Sequence, residues 1–242
     1  MRGIAIAVLA AAAIAIASQG CAQGQGRGNV SGQLDVPDCW SGSFDLRPDF
    51  FAGLPYRDEL FLRLQRGGDY PAFADGVSIH VRDITAVRAR LGVPLVVDLP
   101  PEVTPPGTPV RAGGEPALVA LTLYLQRSCR SVTSAQYAVA EALANEDGSC
   151  EVHGAQSCGE NAPLPAGTKR VTSTITFAHI FNGNPEEPVA AERLSEATFD
   201  VYLADPRDGC PGGVGAPPRC RGHLTGSFRF YFERGRPAQP FP

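Results

Sequence analysis

Residues 224–233 read LTGSFRFYFE. Leu224, Phe228, Phe230 and Phe232 fall on one side of a two-residue period. Thr225, Ser227, Arg229, Tyr231 and Glu233 fall on the other. Successive side chains of an extended chain point to opposite faces, so the stretch predicts a β-strand with one face buried. The same alternation recurs upstream. Val30, Leu34 and Val36 share a face with Gly32, and Phe44 and Leu46 follow within Ser43–Leu46. Leu60, Leu62 and Leu64 alternate with Phe61, Arg63 and Gln65, and Val77, Ile79 and Val81 alternate with Ser78, His80 and Arg82. Val93–Leu99, Val171–Ile180 and Ala197–Leu203 read as further strands, and Ala117–Leu125 (ALVALTLYL) is apolar on both faces, as a central strand is. Helical patterning is scarce. Ser134–Asn145 (SAQYAVAEALAN), with Ser134 as N-cap, is the best helix, with a strand and loop as its alternative reading. Ile84–Leu91 is long enough for a helical turn or two. The expected class is all-β: an antiparallel β-sandwich or jelly-roll-like fold with at most one or two short helices and long disulfide-containing loops.

The chain has 242 residues with 43% hydrophobic and 19% charged side chains, enough for a buried core and too apolar for wholesale disorder. Its formal net charge of −4 argues against a nucleic-acid partner.

The N-terminus carries an address. Residues 1–21 read MRGIAIAVLAAAAIAIASQGC, with Arg2 ahead of an unbroken apolar run from Ile4 to Ala17. As a helix that run spans about 21 Å, short of the roughly 30 Å hydrocarbon core of a bilayer. It therefore reads as the apolar region of a signal peptide, residues 1–20. Ala15-Ile16-Ala17 suits ordinary signal peptidase. Ser18-Gln19-Gly20-Cys21 resembles the lipobox of bacterial lipoproteins. Gly20 fits that pattern, whereas Ser18 stands where Leu is usual and Gln19 where a small residue is usual. The resemblance covers the leader alone. It implies cleavage before Cys21 and a lipid anchor of diacylglycerol and palmitate on that residue. Ala22, not Asp, follows Cys21, which by the same resemblance implies the outer membrane. Residues 21–29 then read as a flexible Gly-rich tether. If Cys21 is not lipidated, the expected location is secreted or periplasmic.

Cysteine parity supports the anchor. The seven cysteines are Cys21, Cys39, Cys129, Cys150, Cys158, Cys210 and Cys220. Thiols of exported chains tend to pair, and six remain once Cys21 is set aside. Sequence proximity suggests Cys150–Cys158 and Cys210–Cys220 as local pairs, leaving Cys39 with Cys129. Trp40, the only tryptophan, is expected to pack in the core beside that last bond. Cys150-x2-His153-x4-Cys158, with Cys129 nearby, offers a zinc-like ligand set, but export favours disulfides over free thiolates.

Catalytic signatures do not emerge. G-x-S-x-G, H-E-x-x-H, the P-loop and a dinucleotide glycine motif placed after a strand are all missing from the sequence. His80, His153, His179 and His223 have no short metal spacing; His80 is expected to face outward, and His179, two residues after Phe177, to share its inward face. The acidic clusters Asp58-Glu59, Glu146-Asp147, Glu186-Glu187 and Asp205 with Asp208 give no specific pattern. Asn145-Glu146-Asp147-Gly148 and Asn182-Gly183-Asn184 read as turns. No catalytic residue, metal ligand or cofactor is expected.

Residues 30–242 thus read as one domain, with the Pro/Gly loop at 100–116 as the point where it would divide. The expected role is a lipid-anchored envelope protein, a non-enzymatic module that binds a ligand or partner or is structural. Its expected partners are the membrane and an envelope protein or glycan. The competing expectation is an envelope hydrolase with a dispersed active site.

Overall fold

The structure is a computed structural model, and its described residues are 26–66, 74–100, 103, 117–129, 135–150, 158, 163–184, 186–208, 210 and 216–232. The strands are β1 (Gly26–Val36), β2 (Trp40–Leu46), β3 (Phe50–Tyr56), β4 (Glu59–Arg66), β5 (Asp75–Val81), β6 (Leu95–Asp98) and β7 (Val119–Leu125). They continue as β8 (Ala135–Ala138), β9 (Glu141–Asn145), β10 (Thr168–Thr172), β11 (Thr174–His179), β12 (Leu194–Ala204) and β13 (Cys220–Tyr231). A single α-helix, α1 (Ile84–Arg88), stands among the described residues, with short 3-10 segments at Ala190–Arg193 and Pro206–Asp208. The fold is all-β.

Eleven strands form one sheet in the order β2-β1-β13-β12-β11-β6-β7-β5-β4-β3. The eleventh, β8, pairs with both β7 and β12. β12, β11, β6, β7 and β8 therefore form a closed ring, from which β13-β1-β2 extends on one side and β5-β4-β3 on the other. The two extensions face each other: Phe51 of β3 stacks on Phe230 of β13 at 5.9 Å, and a Cβ on Gly53 would overlap the ring of Phe232. Between them lies one large apolar core fed by β1 to β8 and β11 to β13. A smaller cluster (Leu99, Val139, Ala142, Ala144, Val171, Ala204 and Cys220) sits beside the two-stranded sheet formed by β9 and β10.

The alternation read from sequence is the alternation of burial. In β13, Leu224, Phe228 and Phe230 are at most 2% exposed. β7 is buried on both faces except at Tyr124, as its uninterrupted apolar run requires. β3 was not legible: FFAGLPY buries two successive Phe and contains a Pro. As an end strand of the sheet, β3 tolerates Pro55, whose missing N–H can face away from the ladder.

Several expectations are corrected. The sheet is mixed rather than purely antiparallel, because β6 and β7 run parallel through Val97↔Val119 and Asp98↔Ala120. A parallel neighbour requires a long crossover, and the Pro/Gly loop at 100–116, most of which lies outside the described residues, spans that connection. Residues 135–145 of the expected helix form two strands, β8 and β9, and the expected N-cap Ser134 lies outside the described residues. Pairing with three neighbours outweighs the helix preference of their alanines. The expected strand Val171–Ile180 breaks at Ser173, where the chain passes from the small sheet to the large one. There the Tyr202 N–H donates to the Ser173 Oγ at 2.9 Å, and the Ser173 N–H donates to the Ala140 carbonyl. Gly26–Asn29, read as tether, already run as strand against Phe230–Ser227.

The register sorts the molecule into two ends. At one end lie Gly26, the start of β12, the end of β13, Ile180 and Phe181, α1 and the Arg57-Asp58 turn. The Arg193 carbonyl accepts from Phe232 N–H, the Asp58 carbonyl from Ile84 N–H, and Ile180 O from the Arg88 guanidinium. At the other end lie the β1–β2 turn, the start of β13, the end of β12 and Cys129. All three disulfides are at this second end: Cys39–Cys129, Cys150–Cys220 and Cys158–Cys210. Cys39–Cys129 is as expected. The two local pairings are corrected, since the polar loops are linked to each other rather than each to itself. The reason is spatial. Leu143 of β9 bridges to Arg219 and donates its N–H to Pro218 O, which brings the turn after β9 beside the entry to β13. Trp40 packs against the main core, edge-on to Phe44 at 5.4 Å.

Candidate functional site

Two histidines acquire partners that only strand register could supply. On β4, Glu59 and Phe61 lie two apart and so share a face, and Phe61 pairs directly with His80 of β5. The His80 ring stacks on Phe61 at 4.0 Å, and its Nε2 lies 2.8 Å from Glu59 Oε2. On β12, Asp200 and Tyr202 repeat the spacing, and Tyr202 pairs directly with His223 of β13. The His223 ring stacks on Tyr202 at 4.3 Å, and its Nε2 lies 2.6 Å from Asp200 Oδ1. The same unit, an acid and an aromatic two apart on one strand facing a histidine on the next, thus occurs on two strand pairs. Burial, and next the negative charge of Asp200, push the Tyr202 phenol above its ordinary pKa.

Such a unit fixes an imidazole in plane and orientation, with one nitrogen against a carboxylate. It is the base-and-orienter half of a hydrolytic triad, and a hydroxyl or thiol at the other nitrogen would complete one. Among the described residues, no cluster of three or more His, Cys, Asp or Glu is arranged to hold a metal ion.

The remaining residues singled out from sequence are placed as follows. His80 faces outward and is half-buried. His179 is exposed, against expectation: the register slips between Phe177↔Ala197 and His179↔Glu196, and this bulge turns the side chain away from the core face that Phe177 occupies. His153, Cys21 and the residues from Glu233 onward lie outside the described residues. Among the loop acids, Asp147 and Glu187 accept from backbone N–H groups, whereas Asp205 and Asp208 bind arginines. Ser149 N–H donates to Asp147 at 2.9 Å and holds that carboxyl below its ordinary pKa, with Gly148 at φ 88° completing the turn. Asn184 N–H donates to Asn182 Oδ1 at 2.8 Å, and Val189 N–H to Glu187. Asp205 takes a two-pronged bond from Arg207, which holds its carboxyl below the usual range, and Arg221 reaches Asp208 at 2.6 Å and Asp205 at 3.6 Å.

No protein-family model, curated protein or solved structure matches the chain.

Proposed function

We propose that this protein is a lipid-anchored module of the bacterial envelope, exported by its leader, cleaved before Cys21 and held to the outer membrane through that residue. The observation that carries the reading is thiol parity. The six other cysteines are joined in three disulfides, so Cys21, at the lipobox-like sequence, is the seventh and has no partner among them. Its role is binding or structural rather than catalytic. Asp147, Glu187, Asp205 and Asp208 are engaged in turns and arginine pairs, and the long loops are the natural place for a partner protein or glycan. Intact mass of the membrane-extracted protein tests the anchor. A chain beginning at Cys21 with a lipid-sized increment is expected, and an unmodified chain beginning at Ser18 rejects it.

The hydrolase alternative rests on the two histidine–carboxylate pairs. Turnover in an unbiased hydrolase screen that is lost in folded His80→Ala or His223→Ala would establish it.

A further inference from the structure

The two ends of the sheet differ in what they show to solvent. Among the described residues, the exposed large hydrophobic side chains are Tyr56, Leu91, Val93 and Val189, at 55%, 41%, 52% and 53% exposure. They lie far apart in sequence yet at one end of the molecule. Tyr56 precedes the Arg57-Asp58 turn, whose Asp58 carbonyl holds the start of α1. Leu91 and Val93 follow α1 and flank Gly92, whose N–H donates to Phe177 O on β11. Val189 precedes the 3-10 segment Ala190–Arg193, joined to α1 by the Arg88–Glu192 ion pair at 2.8 Å and to the end of β13 through Arg193 O.

The chain enters the fold at this same end. Gly26, the first described residue, pairs with Phe230, two residues from Phe232. Cys21 is five residues before Gly26. Five residues reach at most about 18 Å. Crossing the headgroup layer uses roughly 5–8 Å of that. The disulfide end stands much farther off: β12, with 11 residues, extends about 36 Å at some 3.3 Å per residue. A lipid on Cys21 therefore brings the end with Tyr56, Leu91, Val93 and Val189 to the bilayer and holds the stapled end away. Tyr56, with the Arg57 guanidinium 5.3 Å from its ring centroid, is the aromatic-and-basic combination that suits a headgroup layer.

We propose that Tyr56, Leu91, Val93 and Val189 form a membrane-docking surface that seats this end of the domain in the bilayer carrying the anchor. The proposal rests on the lipidation of Cys21. The acyl chains hold the protein to the membrane, and the four side chains fix which way the body faces.

Trp40 makes the test direct, because it is the only tryptophan and lies at the stapled end. The membrane-extracted full chain and its Leu91→Trp and Val189→Trp variants are reconstituted into vesicles of phosphatidylethanolamine and phosphatidylglycerol with brominated acyl chains, which quench nearby indoles. Intact mass is read on the same samples. The expected result is a lipidated chain in which the added tryptophan of either variant loses its emission while Trp40 keeps its own. A lipidated chain with no quenching at either new position overturns the docking surface and leaves the anchor standing. Quenching of Trp40 alone overturns it in favour of the opposite orientation. Blue-shifted but unquenched emission from a dimer assigns the patch to a second copy of the chain and overturns it as well. An unlipidated mass removes the anchor reading and the proposal with it.

Discussion

The disulfide-bearing end and the opposite end of this sheet are held by different physics. At the first, three covalent cross-links join the turns and loops, and Asp205 and Asp208 bind Arg207 and Arg221. At the second there are no disulfides among the described residues. Phe181 stacks on Phe232 at 3.9 Å, Phe232 lies 5.3 Å from Phe230, and Phe230 meets Phe51. A short helix capped by Asp83 and several backbone hydrogen bonds close that end. Where the loops are long and polar, cross-links reduce the freedom of the unfolded chain; where they are short, packing is enough.

The largest expected effect is at the stapled end. Replacing Cys39 and Cys129 together by Ala opens a loop of 90 residues and should cost about 4–5 kcal/mol in the chain-entropy account, read from the midpoint of denaturant unfolding. A cost below that of losing one packed ring would reverse the comparison. Next is the other end, where Phe232→Ala removes a side chain only 8% exposed and should cost about 3–4 kcal/mol in the same assay. Asp83→Ala deletes the side chain that accepts from Ala86 N–H at 2.8 Å and should cost about 1 kcal/mol, accompanied by faster amide exchange in α1. The smallest effect concerns Asp205. Because Arg207 depresses its pKa in the folded state, its contribution is present above the ordinary carboxylate range and is lost as pH falls through the lowered value. The partner Arg207 is 83% exposed, so solvent screens the pair. Asp205→Asn should cost about 0.5 kcal/mol at neutral pH and nothing at strongly acid pH, and a loss independent of pH would contradict the assignment.

Legibility in the sequence followed the range of the interactions. Strands whose alternation reports a buried face, such as β4, β5 and β13, could be read directly. Those whose identity depends on distant neighbours could not. β8 and β9 have a composition that suits a helix, and only pairing with β7, β10 and β12 makes them strands. Nearness along the chain pairs Cys150 with Cys158 and Cys210 with Cys220, whereas nearness in space pairs Cys150 with Cys220 and Cys158 with Cys210. His80 and His223 were visible as residues, but their carboxylates and stacking rings are one strand away, and no motif encodes a register. The spacing Glu59-x-Phe61 and Asp200-x-Tyr202 is the nearest thing to a signal, and it acquires meaning only once the histidine strand is laid alongside.

The position of β1 has a consequence for the order of events during synthesis. The first strand of the body lies between β2 and β13, and Asn29 receives its hydrogen bond from Ser227, 198 residues later in the chain. A chain synthesised N-terminus first presents β1 and β2 as a hairpin with one open edge long before β13 is available to cover it. Contacts at such separation are formed late and slowly, and the uncovered edge can pair with another chain meanwhile. A truncation that removes β13 should therefore yield an aggregating chain rather than a smaller domain.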